Sequence, residues 1–132
     1  MSRRSARKNA FYLLFQMDFS IESEFWKVKE VFFNETDDVI AEEDKEFIIK
    51  EVEGVKEHIS EIDELIANAA KGWTIDRMSK VDLAILRLAI YEMKYSDETP
   101  VSVAVNEAVE LAKKFSSDQA PAFVNGILGK LA

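Results

Sequence analysis

The sequence predicts an all-α fold, a compact bundle of about seven helices. Three observations carry that prediction. Apolar residues recur at three- and four-residue intervals along almost the whole chain. Only four glycines and two prolines punctuate the 132 residues, and no stretch shows sustained alternation bounded by turn signals. Hydrophobic residues make up 48% of the composition, enough to build the core of a single domain over 1–132.

The elements follow in order. Ser2 or Ser5 can cap a first helix running to about Ser20, with Ala6, Ala10, Leu13, Leu14 and Met17 as its buried stripe. A second helix is predicted from Glu22 to Asn34, with Phe25, Val28, Phe32 and Trp26 as its inward candidates. Asn34 to Asp44 is the most polar stretch and reads as a loop, Asp44 being a candidate N-cap. The apolar series Ile48, Val52, Val55, Ile59, Ile62, Ile66, Ala69, Trp73 could be one long seam. Two helices are preferred, because Ser60-Glu61-Ile62-Asp63 is close to a capping box, and Gly72 suits the end of the second. Ser79 caps a helix from Lys80 to about Tyr95 that is apolar around most of its circumference. Val81, Ile85, Leu88 and Ala89 share one face and Leu83, Leu86, Ile90 and Met93 another, which places this helix at the centre of the bundle. Thr99-Pro100 opens the next helix, with Val101, Ala104, Val105, Ala108, Leu111 and Ala112 inward and Glu107, Glu110, Lys113 and Lys114 outward. The last helix takes Ser117 or Asp118 as cap and Pro121 in its first turn, with Phe123, Ile127, Leu128 and Leu131 inward.

Composition bounds the function. There is no cysteine, which excludes disulfides, thiolate metal sites and cysteine nucleophiles and suits a reducing cytoplasm. The longest apolar run, Ala10 to Phe15, is far too short to span a membrane, and Gln16 and Asp18 end it before a signal peptide could form. The net charge of −8 argues at first against nucleic acid as a partner. That figure hides a division. Residues 1–21 hold four basic residues and one acid, 22–64 hold sixteen acids and five lysines, and 65–132 hold eight of each sign.

Catalytic constellations are scarce. The one histidine, His58, sits on a polar helical stretch and reads as a surface residue rather than a general base. The four glycines are isolated, so no phosphate loop is present. Glu42, Glu43, Asp44 and Glu46 lack the spacing of a calcium loop. No nucleophile, base and oxyanion donor come together, so no metal, cofactor or enzymatic activity is expected. Binding remains. Arg3, Arg4, Arg7 and Lys8 lie at a helix start, where the macrodipole disfavours cations, and that placement suggests phosphate neutralisation. Phe15 lies eight residues beyond Arg7, roughly in line with the basic residues. Exposed there, it could stack on an unpaired base; turned inward, it would simply pack in the core.

Several blocks extend this reading. Arg3-Arg4-Ser5-Ala6-Arg7 is followed by Leu14-Phe15-Gln16-Met17-Asp18, and Asp76-Arg77 by Val81-Asp82 and Ile85-Leu86-Arg87-Leu88-Ala89 with Tyr91-Glu92. Then come Pro100-Val101, Asn106 through Phe115, and Phe123-Val124-Asn125-Gly126-Ile127-Leu128. In this order they resemble the bacterial transcription antitermination factor NusB family over essentially the full length.

The resemblance implies two packed helical subdomains without catalysis. It implies binding to the boxA segment of ribosomal RNA leader transcripts together with ribosomal protein S-ten (NusE), within an RNA polymerase antitermination complex. By position, Arg3, Arg4 and Arg7 would contact the RNA backbone, with Lys8 beside them, and Phe15 would stack near a base. Phe123 and Asn125 would contribute from the last helix, and Asp76, Arg77, Asp82 and Arg87 would lie at the RNA or protein-partner surface. Two departures stand out: Gln119-Ala120-Pro121-Ala122 lacks the lysine that many relatives carry before the Phe, and Gly129 replaces an acid. A homodimer burying Phe15 or Phe123 is a further possibility. Two other classes compete: a purely protein-binding scaffold, and the helical domain that precedes certain ribosomal RNA cytosine methyltransferases. The latter would need a Rossmann-type domain that these 132 residues do not contain.

Overall fold

The computed structural model describes residues 2–19, 25–35 and 40–132, with only the backbone at 25, 26 and 35. Among the described residues there are seven α-helices and no strand: α1 (Arg3–Met17), α2 (Phe25–Glu35), α3 (Glu42–Glu57), α4 (Ile59–Ala69), α5 (Lys80–Tyr95), α6 (Val101–Phe115) and α7 (Ala120–Leu131). A 3-10 turn, Ile75–Arg77, precedes α5 and was not foreseen from the sequence.

α5 is the axis of the molecule. Every residue from Leu83 to Glu92 is buried, as expected of a helix apolar on most sides. α1, α2 and α3 pack together on one flank, with α1 and α3 also against α5. On the other flank α4, α6 and α7 meet α5, and α7 also touches α4. These are the two subdomains, sharing one core that runs from Ala6 to Leu128. Ser2 caps α1 by accepting from the Ser5 N–H at 3.1 Å, and Ser79 caps α5 by accepting from Asp82 at 3.0 Å.

The differences from the sequence expectations fall at helix ends. α1 stops at Met17, Asp18 and Phe19 forming a turn; the expected end at Ser20 and start of the second helix at Glu22 lie outside the described residues, as do the side chains of Phe25 and Trp26. Phe32 is buried as predicted. Asp44 is not the cap of α3. Ala41 holds that position, and Glu42, Glu43 and Asp44 all occupy the first turn, where the helix dipole favours acids. The α3–α4 break comes at His58, not Ser60. His58 leaves helical geometry (φ −108°, ψ 16°) with its ring stacked on Tyr95 of α5, centroids 3.9 Å apart. That contact selects the break point over the weaker capping signal. Gly72, at φ +83°, turns the chain after α4. α7 begins on Gln119 rather than Ser117 or Asp118, with Pro121 in its first turn as expected.

Two predicted core residues are exposed. Trp73 is 52% exposed because α4 ends four residues before it, and Val101, at 40%, opens onto an uncovered groove between α6 and α7.

Candidate nucleic-acid interface

The basic start of α1 divides into two stripes. Residues four apart on a helix share a face, so Arg3 pairs with Arg7 and Arg4 with Lys8. The first pair faces α3. The Arg3 guanidinium carbon lies 4.0 Å from the centroid of the Phe47 ring, and that of Arg7 lies 5.8 Å from it. Arg3 remains exposed, but Arg7 is buried. Its Nε donates to Glu92 at 2.9 Å and its Nη2 donates to Thr99, whose hydroxyl in turn donates to Glu92 at 3.0 Å. Arg7, expected at the RNA backbone, is thus placed inside: its guanidinium neutralises a buried carboxylate of α5 and ties α1 to the core.

The second pair faces α6 and solvent. Arg4 donates from Nε and Nη2 to both oxygens of Glu107, at 3.0–3.3 Å, and Lys8 lies half-buried beside a groove shared with the end of α6. At 100° per residue, Phe15 lies about 20° from Arg4 and Lys8 around the helix, against about 80° from Arg7. The aromatic thus continues the Arg4–Lys8 stripe rather than the Arg7 one, and Tyr12 and Phe19 complete it.

This strip is aromatic and accessible at its far end. Tyr12 meets Phe115 of α6 edge-on at 5.4 Å, and Phe15 meets Phe19 edge-on at 5.1 Å. Phe15 is half-buried, resting on Phe11 inside while keeping one side at the surface. Phe19 is 65% exposed, the most accessible large apolar side chain among the described residues. Neither Phe19 nor Tyr12 was singled out from the sequence, although they lie seven residues from each other and four from Phe15 and Lys8 respectively, and that spacing carried the signal.

The end of α6 links this strip to a second aromatic group. Lys113, Lys114 and Phe115 line the groove beside Arg4, and Ser117 and Gln119 line a neighbouring hollow with Trp73, Arg77 and Phe123. Trp73 and Phe123 meet edge-on at 6.1 Å. Phe123 is half-buried; Asn125, Asp76 and Arg77 are exposed. Trp73 was read as the end of a buried seam, and the helix stop before it is what releases it to the surface.

Asp82 and Arg87 do not share one surface. Asp82 is half-buried and accepts a hydrogen bond from the Ser116 hydroxyl, tethering the α6–α7 link to α5. Arg87 is buried, donating to Asp63 of α4 at 2.8 Å and to Asp18 after α1 at 3.0 Å. Burial opposes its charge, but the Asp63 and Asp18 carboxylates outweigh that and hold its pKa above the ordinary arginine value. Arg87, expected at the RNA or partner surface, thus clamps α5 to α4 and to the turn after α1. The sequence showed only that Asp82 and Arg87 were badly placed for each other.

Among the described residues there is no cluster of three or more metal-ligating side chains, and no helix is long and apolar enough to cross a membrane. Fold and face define a class: an all-α bundle that presents a cationic and aromatic strip along one helix. The chain matches the model of the NusB family over residues 4–132. It is 43% identical over 132 residues to the transcription antitermination protein NusB of Agathobacter rectalis, covering all of both chains. It is 46% identical over 131 residues to the protein of the same name from Acetivibrio thermocellus, covering 99% of this chain and 88% of that one. Among solved structures, NusB of T. maritima superposes with a TM-score of 0.87 at 33% identity, covering 100% of this chain and 91% of that one. A chain in the crystal structure of antitermination factors NusB and NusE in complex with dsRNA gives 0.80 at 30% identity, covering 98% and 94%. The chain belongs to the NusB family.

Proposed function

We propose that this chain is a transcription antitermination factor that binds boxA-type single-stranded RNA of ribosomal RNA leader transcripts together with ribosomal protein S-ten (NusE). The observation that carries the reading is the single stripe Arg4, Lys8, Tyr12, Phe15, Phe19, in which cations for phosphates lead into aromatic faces for bases. Arg3 adds a cation at the rim, and Phe123 and Arg77 extend the surface beyond the end of α6, while Asn125 lies round α7 from Phe123 and opens onto the α6–α7 groove beside Val101. The curated relatives share the antitermination role by name, and a structural neighbour holds both partner classes, NusE and RNA. The single domain over 1–132 works in the cytoplasm as an adaptor within the RNA polymerase complex.

Three or four phosphate contacts give only modest affinity, with a salt slope of roughly −2 to −3 for single strands. A bound partner that carries its own RNA contacts raises affinity through effective concentration. Fluorescence titration with boxA-type and scrambled RNA, with and without S-ten, tests this. Preference for boxA that sharpens with the partner is expected; equal binding of both RNAs with no gain from the partner contradicts it. The exposed Phe19 also suits a homodimer that covers the strip, in which case the mass in solution falls to that of the monomer complex when RNA is added.

A further inference from the structure

Arg4 is fixed at one edge and uncommitted at the other. Its Nε and one Nη2 hydrogen are directed at the Glu107 carboxylate, which accepts them at 3.0–3.3 Å, while no hydrogen bond engages Nη1. The Glu107 side chain is 15% exposed and so held by its surroundings on α6; the Arg4 side chain is 66% exposed. A planar guanidinium gripped along one side by an anchored carboxylate presents its remaining donors in a set direction. Those donors border the groove of about 390 Å³ between the start of α1 and the end of α6.

The far wall of that groove carries Lys113 and Lys114. Lys113 lies 3.4 Å from Glu110 in an exposed pair that water and salt screen, and the Lys114 ammonium lies 5.4 Å from the centre of the Phe115 ring. With Lys8 and Arg7, five cations line the groove against Glu107 and Glu110, and Arg7 is neutralised by Glu92, which leaves four against two. The groove's net positive charge stands out in a chain of net charge −8.

We propose that this groove seats a backbone phosphate of the bound RNA, with Arg4 on one side and Lys113 and Lys114 on the other, and that Glu107 is the positioning residue that holds Arg4 for it. The proposal rests on the RNA-binding reading above and adds residues to it. Lys113 and Lys114 decorate the C-terminal turn of α6, where a helix dipole alone would explain them; their place opposite Arg4 is what gives them a ligand. Glu107 acts by sparing the RNA the ordering of a long side chain, so it sets affinity without touching phosphate.

The test is a boxA-type RNA titration by fluorescence anisotropy at several salt concentrations. The proteins are the full chain, Lys113→Gln/Lys114→Gln, Arg4→Ala, Glu107→Ala and Arg4→Ala/Glu107→Ala, each checked for unchanged melting by circular dichroism. Removing two contacts at about 0.7 each should reduce the salt slope by about 1.4. Glu107→Ala should weaken binding about three- to tenfold with the slope kept, and should have no further effect once Arg4 is gone. An unchanged slope in the double lysine variant overturns the groove as a phosphate seat. Tighter binding by Glu107→Ala, or a loss that persists without Arg4, overturns the positioning role. Scrambled RNA run in parallel separates the two readings. If it binds as well as boxA the antitermination reading falls, while the slopes still decide the groove.

Discussion

Single residues show why charge in a sequence does not reveal its use. Arg3, Arg4, Arg7 and Lys8 form one basic cluster in the sequence, yet Arg7 is committed to Glu92 inside the bundle and Arg4 to Glu107 at its rim. Partners 85 and 103 residues away decided this, and no local pattern announces them. Glu51 of α3, which interacts electrostatically with both Arg7 and Glu92, is 2% exposed and has one carboxylate oxygen without a hydrogen-bond partner. Burial pushes its pKa up from 4.5 to about 8, and the negative Glu92 adds to the rise. Arg7 and Lys50 oppose it, Glu98 adds to it, and Tyr91 is the other titratable group alongside. The folded state thus holds this proton more tightly than the unfolded chain does. Stability contributed by that proton is lost as pH rises from about 4.5 to about 8, by on the order of 4 kcal/mol if the whole shift is expressed. Glu51→Gln should remove this loss, so that its urea unfolding free energy exceeds that of the parent at pH 8 and approaches it near pH 5. Parallel pH profiles for the two proteins would contradict the assignment.

At the scale of elements, the helices were legible and their junctions were not. The apolar spacing placed α5 to the residue, because burial on nearly every side leaves few alternatives. The α3–α4 break moved two residues, since a stacked His58–Tyr95 contact from a distant helix outweighed a local cap. The glycines show the same dependence on neighbours. A methyl group on Gly54 would lie 2.1 Å from the Tyr91 ring, so α3 approaches α5 as closely as it does only because that position has no side chain. Gly129, within α7, has nothing within 4 Å of where a methyl would sit. Gly54→Ala should therefore destabilise by about 1–3 kcal/mol through overpacking. Gly129→Ala should stabilise by about 0.5–1 kcal/mol through helix propensity. Thermal unfolding of both variants checks the pair, and the prediction fails if they shift in the same direction.

For the whole molecule, the net charge of −8 was a poor guide, because the acids concentrate in 22–64 while one helix carries the cationic strip. Of the residues expected at the site, Arg3, Arg4, Lys8, Phe15, Phe123 and Asn125 lie wholly or partly at the surface. Arg7 and Arg87 were expected at the surface and are buried, because cation identity was visible in the sequence and burial was not. Trp73 and Phe19 were missed because both lie just past helix ends, where an apolar pattern read along the chain gives no sign that the covering helix has stopped. In the function proposed above, RNA lies along the stripe from Arg4 to Phe19 and across the end of α6. Amide NMR of the ¹⁵N-labelled chain titrated with boxA-type RNA tests it most directly. Shifts concentrated at residues 3–19 and 113–125 are expected, with α3 and α4 unmoved. Shifts centred on the acidic α3–α4 flank, or spread evenly over the molecule, would contradict it.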